Sequence, residues 1–178
     1  MKFEDFLHAH ARPVEFSSGQ HVFMQGDADR SLYLLREGLL KAYYLSENGK
    51  EAVKSFLLPG DVIGSLAAFG QHGICSFNLL CMEPTKLLGV RFDKLIETSR
   101  QDQELANAMV DMLLQLSMKK EKREFDFLCR SAEERYRELL ELSPNLVEKV
   151  TQNDVARYLG VTPVALSRIK KRITATLA

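Results

Sequence analysis

Near the C-terminus, Ser167, Arg168, Lys170 and Lys171 put a hydroxyl, a guanidinium and two ammonium groups within five residues. That chemistry suits a nucleic acid. An arginine fork matches a guanine edge, lysines neutralise phosphates, and an apolar Val164 one turn earlier can meet a thymine methyl. To act together these groups must share a helix face. Leu166, Ile169 and Ile173 follow at spacings of three and four, so they form the buried stripe. Val164, Ser167, Arg168 and Lys171 then lie opposite, with Lys170 and Arg172 on the flanks. Thr162 is suited to cap this helix, and Pro163 to its first position, where a missing N–H removes no hydrogen bond.

The preceding residues predict a second helix crossing the first. Thr151 caps it, with Asp154 three residues on at its positive end. Val155 and Leu159 point to a core, and Ala156 leaves room for a close crossing. Gly160 supplies the left-handed residue that ends the helix, and Val161 plugs the turn. The whole is a helix-turn-helix. Gln152 and Thr162, at the two helix starts, are placed to position phosphates.

The composition allows this reading once it is resolved along the chain. The 178 residues carry 24 basic and 24 acidic side chains, a formal charge of zero. Residues 151–178 nevertheless hold five cations against one acid, whereas residues 93–150 hold ten against thirteen. Positive charge is concentrated where phosphate attraction needs it. No signal peptide and no run of roughly 20 apolar residues is present, so the expected location is the cytoplasm, away from membranes. Cys75, Cys81 and Cys129 are an odd number without CxxC spacing, which predicts reduced thiols. His8 and His10 form an HxH without a downstream carboxylate, and no metal or other cofactor is expected. Only His21 and His72 fall in the segment of short strands, too few for a metal enzyme of the barrel type, so no catalytic residue is assigned.

Upstream, residues 3–10 predict a lead-in helix carrying Phe3, Phe6 and Leu7. From residue 13 to 92 short apolar runs alternate with glycines, and Gly26, Gly38, Gly49 and Gly60 recur every 11 or 12 residues. That rhythm predicts an antiparallel barrel or jelly roll. The expected strands are 21–24, 31–37, 39–46, 51–58, 74–82 and 85–92. Neither face of 39–46 is purely polar, so it should touch the core on one side and another element on the other. Cys75 and Cys81 would share one strand face, about 20 Å from end to end. Residues 93–129 predict helix. Leu105, Met109, Met112 and Leu116 step by 4, 3 and 4, a seam suited to dimerisation or to packing on the chain's own barrel. The mixed charges at 119–124 read as a solvated face. Ser131 and Glu134 form a capping box for a helix to Leu142, Ser143–Pro144–Asn145 break it, and Leu146–Val150 is expected to be extended.

Taken in order, Gly26–Asp27, LYLLREG (32–38), PGDVIGSLA (59–67), RSAEERYRELL (130–140) and TQNDVARYLGVTPVALSRIKK (151–171) resemble the Crp/Fnr family of transcription regulators. The resemblance implies an α+β chain in three parts. These are a cyclic-nucleotide-binding-like jelly roll (1–100), a long dimerisation helix (101–129) and a helix-turn-helix DNA-binding domain of winged-helix type (130–178). It further implies a homodimer on palindromic double-stranded DNA that recruits or blocks RNA polymerase.

Departures from the family pattern narrow this. Cyclic-nucleotide members carry Gly-Glu and later Arg-Ser/Thr in the phosphate-binding turn. Here Gly64 is followed by Ser65, and the Arg-Ser positions fall on Ile74 and Cys75. No cation occurs between Lys54 and Lys86 to pair with a phosphate. The expected effector is therefore an unidentified small molecule or none, not a cyclic nucleotide. Three scattered cysteines cannot hold the iron–sulfur cluster of the oxygen-sensing branch, and none of His8, His10, His21 or His72 is singled out for haem. Pro163–Val164 replaces the Arg-Glu that opens the recognition helix in cyclic-AMP-type relatives, while Arg168 matches a family DNA-contacting arginine. The chain stops five residues after Ile173, so the usual wing hairpin is expected to be missing or truncated. That leaves one alternative: a ligand-binding or protein-interaction module with a decayed DNA-binding domain.

Overall fold

The computed structural model describes residues 1–70 and 73–176; His72 and Leu177, which figure in the expectations above, lie outside the described residues. The chain packs as two compact units, Met1–Gln115 and Leu116–Ala178.

In the first unit a short helix α1 (Phe3–His10) leads into β1 (Arg12–Phe16), β2 (His21–Phe23), β3 (Ser31–Glu37), β4 (Leu40–Leu45), β5 (Glu51–Leu57) and β6 (Val62–Ile63). A 3-10 turn at Leu66–Phe69 precedes β7 (Asn78–Cys81) and β8 (Thr85–Arg91). The strands form two four-stranded antiparallel sheets, ordered β1-β8-β3-β6 and β2-β7-β4-β5. This is the jelly roll that the glycine rhythm predicts. Its core, Phe23, Leu35, Leu40, Ala42, Leu79 and Leu87 among others, comes from the facing sides of both sheets.

Strand β4 shows why its sequence has no polar face. Leu40 and Ala42 enter the core, while Lys41, on the other face, is itself buried against Glu51 at 2.8 Å. The Lys41 ammonium also lies 5.0 Å from the centre of the Tyr43 ring, and the Tyr43 hydroxyl is 2.9 Å from His21 Nε2.

Two strands escape the sequence reading. β1 contains Pro13, which argues against a strand, but β1 is an edge strand and tolerates it. β6 is only two residues long. Conversely, the expected strand 74–82 is regular only from Asn78, so Cys75 and Cys81 do not share a strand. Both are buried in the same core, and burial raises both thiol pKa values.

The helical stretch from residue 93 is interrupted. α2 (Phe92–Ser99) ends before α3 (Gln103–Cys129), whose start is capped by Asp102 Oδ1 accepting the Leu105 N–H at 3.0 Å. Leu105 is fully buried against Phe6, Leu7, Leu32, Val90 and Leu95, and Met109 and Met112 pack on the same cluster. The seam expected to serve dimerisation therefore begins as packing of the helix on its own unit.

The second unit is helical throughout its described residues. The end of α3 is followed by α4 (Ala132–Leu142), α5 (Pro144–Lys149), α6 (Gln152–Leu159) and α7 (Pro163–Thr176). The Ser131–Glu134 capping box is complete, with side chain and backbone bonded both ways. Of residues 146–150, expected to be extended, only Val150 is; the others are helical. Pro144 opens α5 as its first residue, and Leu146 and Val150 are buried. A proline after a helix end reads as a breaker, yet its fixed φ is equally suited to begin the next helix.

Candidate nucleic-acid interface

α6 and α7 form around a local hydrogen-bond pattern. Thr151 Oγ1 accepts the Asp154 N–H at 3.1 Å and donates to the Asp154 carboxylate at 2.7 Å. Gly160 ends α6 at φ 71°, and the Val161 N–H reaches back to the Ala156 carbonyl at 3.0 Å, the six-to-one bond of a Schellman turn. Thr162 Oγ1 then accepts the Ala165 N–H at 3.2 Å and starts α7.

Val155, Ala156, Leu159, Leu166, Ile169 and Ile173 are all buried, so each helix presents one face to the core. On α7 this leaves Val164, Ser167, Arg168 and Lys171 exposed together, with Val164 63% accessible. The four side chains expected opposite the buried stripe are exposed on one side of α7.

Two of the expected contact groups, Gln152 and Lys170, and the flanking Arg172 have partners inside the unit. Lys170 Nζ donates to Gln152 Oε1 at 2.9 Å and ties the two helix-turn-helix helices together. Arg172 Nε donates to Glu133 Oε2 at 2.9 Å, and Arg137 donates to the other oxygen of that carboxylate at 3.1 Å. The Arg172 bond first, and the Arg137 bond second, lower the pKa of Glu133. Arg172 thus braces α7 on α4.

Sequence reading missed two further arginines. Arg123 stacks on the Tyr158 ring at 4.3 Å and the Phe127 ring at 4.8 Å, and donates to the Tyr158 carbonyl at 3.1 Å. Arg135 lies 4.5 Å from the Phe127 ring centre and donates to the Leu159 carbonyl at 2.9 Å. Both cations sit at the negative end of α6. Arg123 falls within the charge run read as solvated, and nothing in its spacing marks it apart.

In the jelly roll, two of the phosphate-turn positions, Ser65 and Cys75, are engaged by neighbouring backbone groups. Ser65 is fully buried, and its Oγ accepts the Ser76 N–H at 3.0 Å. The Cys75 thiol faces the Asp29 carbonyl at 3.5 Å, and the Tyr33 hydroxyl donates to the Asp29 carboxylate at 2.6 Å. Burial, and then that carboxylate, raise the Tyr33 pKa. Ile74 is exposed. Phe77 fills the space beyond, edge-on to Phe23 at 5.2 Å, with Lys54 4.8 Å from its ring centre. Lys54 comes from β5, across the sheet, where sequence proximity could not show it.

Among the described residues, no group of three His, Cys, Asp or Glu side chains could hold a metal ion. Likewise, none of the described helices is long and apolar enough to cross a membrane.

A jelly roll, a long helix and a helix-turn-helix define a class, the DNA-binding regulators built on a sensor-type β domain. Comparisons with known proteins agree. Residues 13–102 match the cyclic nucleotide-binding domain family. The chain is 27% identical over 170 residues to the regulatory protein HlyX of Actinobacillus pleuropneumoniae, covering 90% of this chain and 70% of that one. It is 28% identical over 170 residues to the fumarate and nitrate reduction regulatory protein of Vibrio cholerae, covering 90% and 67%. Among solved structures, FixK2 from Bradyrhizobium japonicum superposes with a TM-score of 0.79 at 20% identity, over 93% of this chain and 85% of that one. The chain belongs to the Crp/Fnr family of transcription regulators. It is a DNA-binding regulator, not an enzyme.

Proposed function

We propose that the chain works in the cytoplasm as a homodimer on an inverted DNA repeat, with α7 in the major groove and without a cyclic nucleotide as effector. The observation that carries the reading is the single exposed face of Val164, Ser167, Arg168 and Lys171 behind a fully buried stripe. Arg168 and Ser167 read base edges, Val164 meets a thymine methyl, and Lys171 neutralises a phosphate. Gln152, Thr162 and Pro163 form the helix starts facing the backbone, and Lys170 exchanges its Gln152 partner for a phosphate on binding. RNA polymerase is the partner through which a bound regulator would act. The pairing of Ser65 with Ser76, and of Tyr33 with Asp29, supports a jelly roll that takes no cyclic phosphate.

In vitro selection from a random duplex pool tests the reading: an inverted repeat should be recovered. On that sequence Arg168→Ala should cost about 1–3 kcal/mol and relax base preference at one position per half-site. Lys171→Ala should weaken all duplexes evenly and lower the salt slope by about one per half-site. A gel-shift series over salt separates the two. Unchanged affinity and selectivity in Arg168→Ala would put another face in the groove. A decayed DNA-binding domain would show no steep salt slope with any duplex.

A further inference from the structure

The last carbonyls of a helix lack intrahelical partners and carry its negative partial charge. At the end of α6 two of these, on Tyr158 and Leu159, accept from arginines of other helices. Arg123 of α3 bonds the first at 3.1 Å, and Arg135 of α4 bonds the second at 2.9 Å. The same Arg135 donates to the Arg130 carbonyl at 2.6 Å and the Asp126 carbonyl at 3.1 Å, so one guanidinium caps the ends of α3 and α6 together. Its Nε is buried without a hydrogen-bond partner. An arginine held with one N–H unsatisfied is fixed by its other bonds, since a buried unpaired donor is unfavourable. The Phe127 ring lies against both guanidiniums and closes on Gly160.

We infer that Arg123, Phe127 and Arg135 form a clamp that sets the angle of the helix-turn-helix on α3, and that the two arginines are positioning residues for operator recognition. The inference rests on the reading of α7 as the groove helix. A reading helix discriminates bases only if its side chains arrive within about 0.5 Å of the bonding geometry, whereas phosphate attraction tolerates misplacement. α6 carries α7 through the short turn at Gly160, so an arginine bonded to the end of α6 governs where α7 points. Lysine would retain the charge but not the planar fork that spans three carbonyls and stacks on a ring.

The test uses the full chain as Arg135→Lys, Arg123→Lys and Phe127→Leu. Affinity for a selected operator and for random duplex of equal length is read by fluorescence anisotropy over a salt series. Hydrogen exchange of the amides of residues 155–162 is followed by mass spectrometry. Arg135→Lys should lower the operator-to-random ratio about tenfold, as loss of charge-assisted bonds implies. The salt slope should stay unchanged, because Arg168, Lys170 and Lys171 remain. Exchange in α6 should quicken while that of the jelly roll does not. A ratio equal to wild type in variants that fold, or equal losses on operator and random duplex, overturns the clamp. If Arg135→Lys does not fold, Arg123→Lys removes one cap only and carries the same test. A wild-type chain without salt-dependent DNA affinity would sink the reading of α7, and the clamp with it.

Discussion

A chain carrying Leu114→Asp and Leu128→Asp is expected to run as a monomer and to lose roughly 10²- to 10⁴-fold in affinity for an inverted repeat, the range that linked binding of two modules confers. α3 carries a second apolar row, Val110, Leu114, Met118, Phe125 and Leu128, all exposed; Leu128 is 77% accessible and Met118 67%. Leu114, Met118, Phe125 and Leu128, at steps of 4, 7 and 3, follow a heptad, and Val110, four residues before Leu114, stays on the same helix face. Leu105, Met109 and Met112 lie half a turn away and are engaged within the first unit, so on the homodimer reading the outer row is the expected contact. If the chain dimerises as proposed, five exposed apolar side chains on one helix face would meet the same row of a second copy, since a two-fold contact is self-complementary. Two aspartates would meet their equivalents across such a contact and repel. Sedimentation gives the mass, and anisotropy gives affinity for half-site and full-site duplexes. Monomers should bind the half-site as wild-type protomers do. A double variant that stays dimeric places the interface elsewhere.

The two apolar rows of α3 show how far sequence reading reaches. Leu105–Met109–Met112–Leu116 and Val110–Leu114–Met118 both have helical spacing. Periodicity says that a face is apolar, not what covers it. Only the position of Phe6, Leu7 and Leu95 against Leu105 decides which row is internal. Capping chemistry of the second unit was legible, because its partners are close in sequence: Thr151 with Asp154, Ser131 with Glu134, and the Gly160 turn ahead of Thr162. The Asp102 cap of α3 was not read, because the break between α2 and α3 carries no proline or glycine. The arginine clamp was not, because Arg123 meets a carbonyl 35 positions away and Arg135 one 24 positions away. α5 was lost to an ambiguity in proline itself, which ends one helix and begins the next. The outward face of α7 was read correctly in all four exposed residues, since the stripe behind it left no other arrangement. Lys170 and Arg172 sit at the rim of that face, where a neighbouring helix offers Gln152 or Glu133, and spacing alone cannot foresee such a partner.

Replacing Gly160 with alanine should destabilise the helix-turn-helix by about 2–5 kcal/mol, the sum expected of a left-handed non-glycine residue and an overpacked contact. Gly160 has φ 71°, and a Cβ built on it would lie 2.7 Å from Cε1 of Phe127. Arg123 and Arg135 both lie against that ring within 5 Å of its centre and oppose its turning aside. Two variants separate the causes. Gly160→Asn carries the same Cβ but tolerates the left-handed conformation better, so its gain over Gly160→Ala reports the backbone term. Gly160→Ala combined with Phe127→Leu relieves the contact and leaves φ unchanged, so the coupling in that double-mutant cycle reports the packing term. Chemical denaturation followed by circular dichroism measures each. If both causes act, the double variant should be more stable than the sum of its singles predicts, and Gly160→Asn should fall between wild type and Gly160→Ala. Strict additivity would mean that the Phe127 ring yields to the new methyl at little cost. The clamp would then be looser at Gly160 than its two stacked guanidiniums imply, and the turn would be specified by the backbone alone.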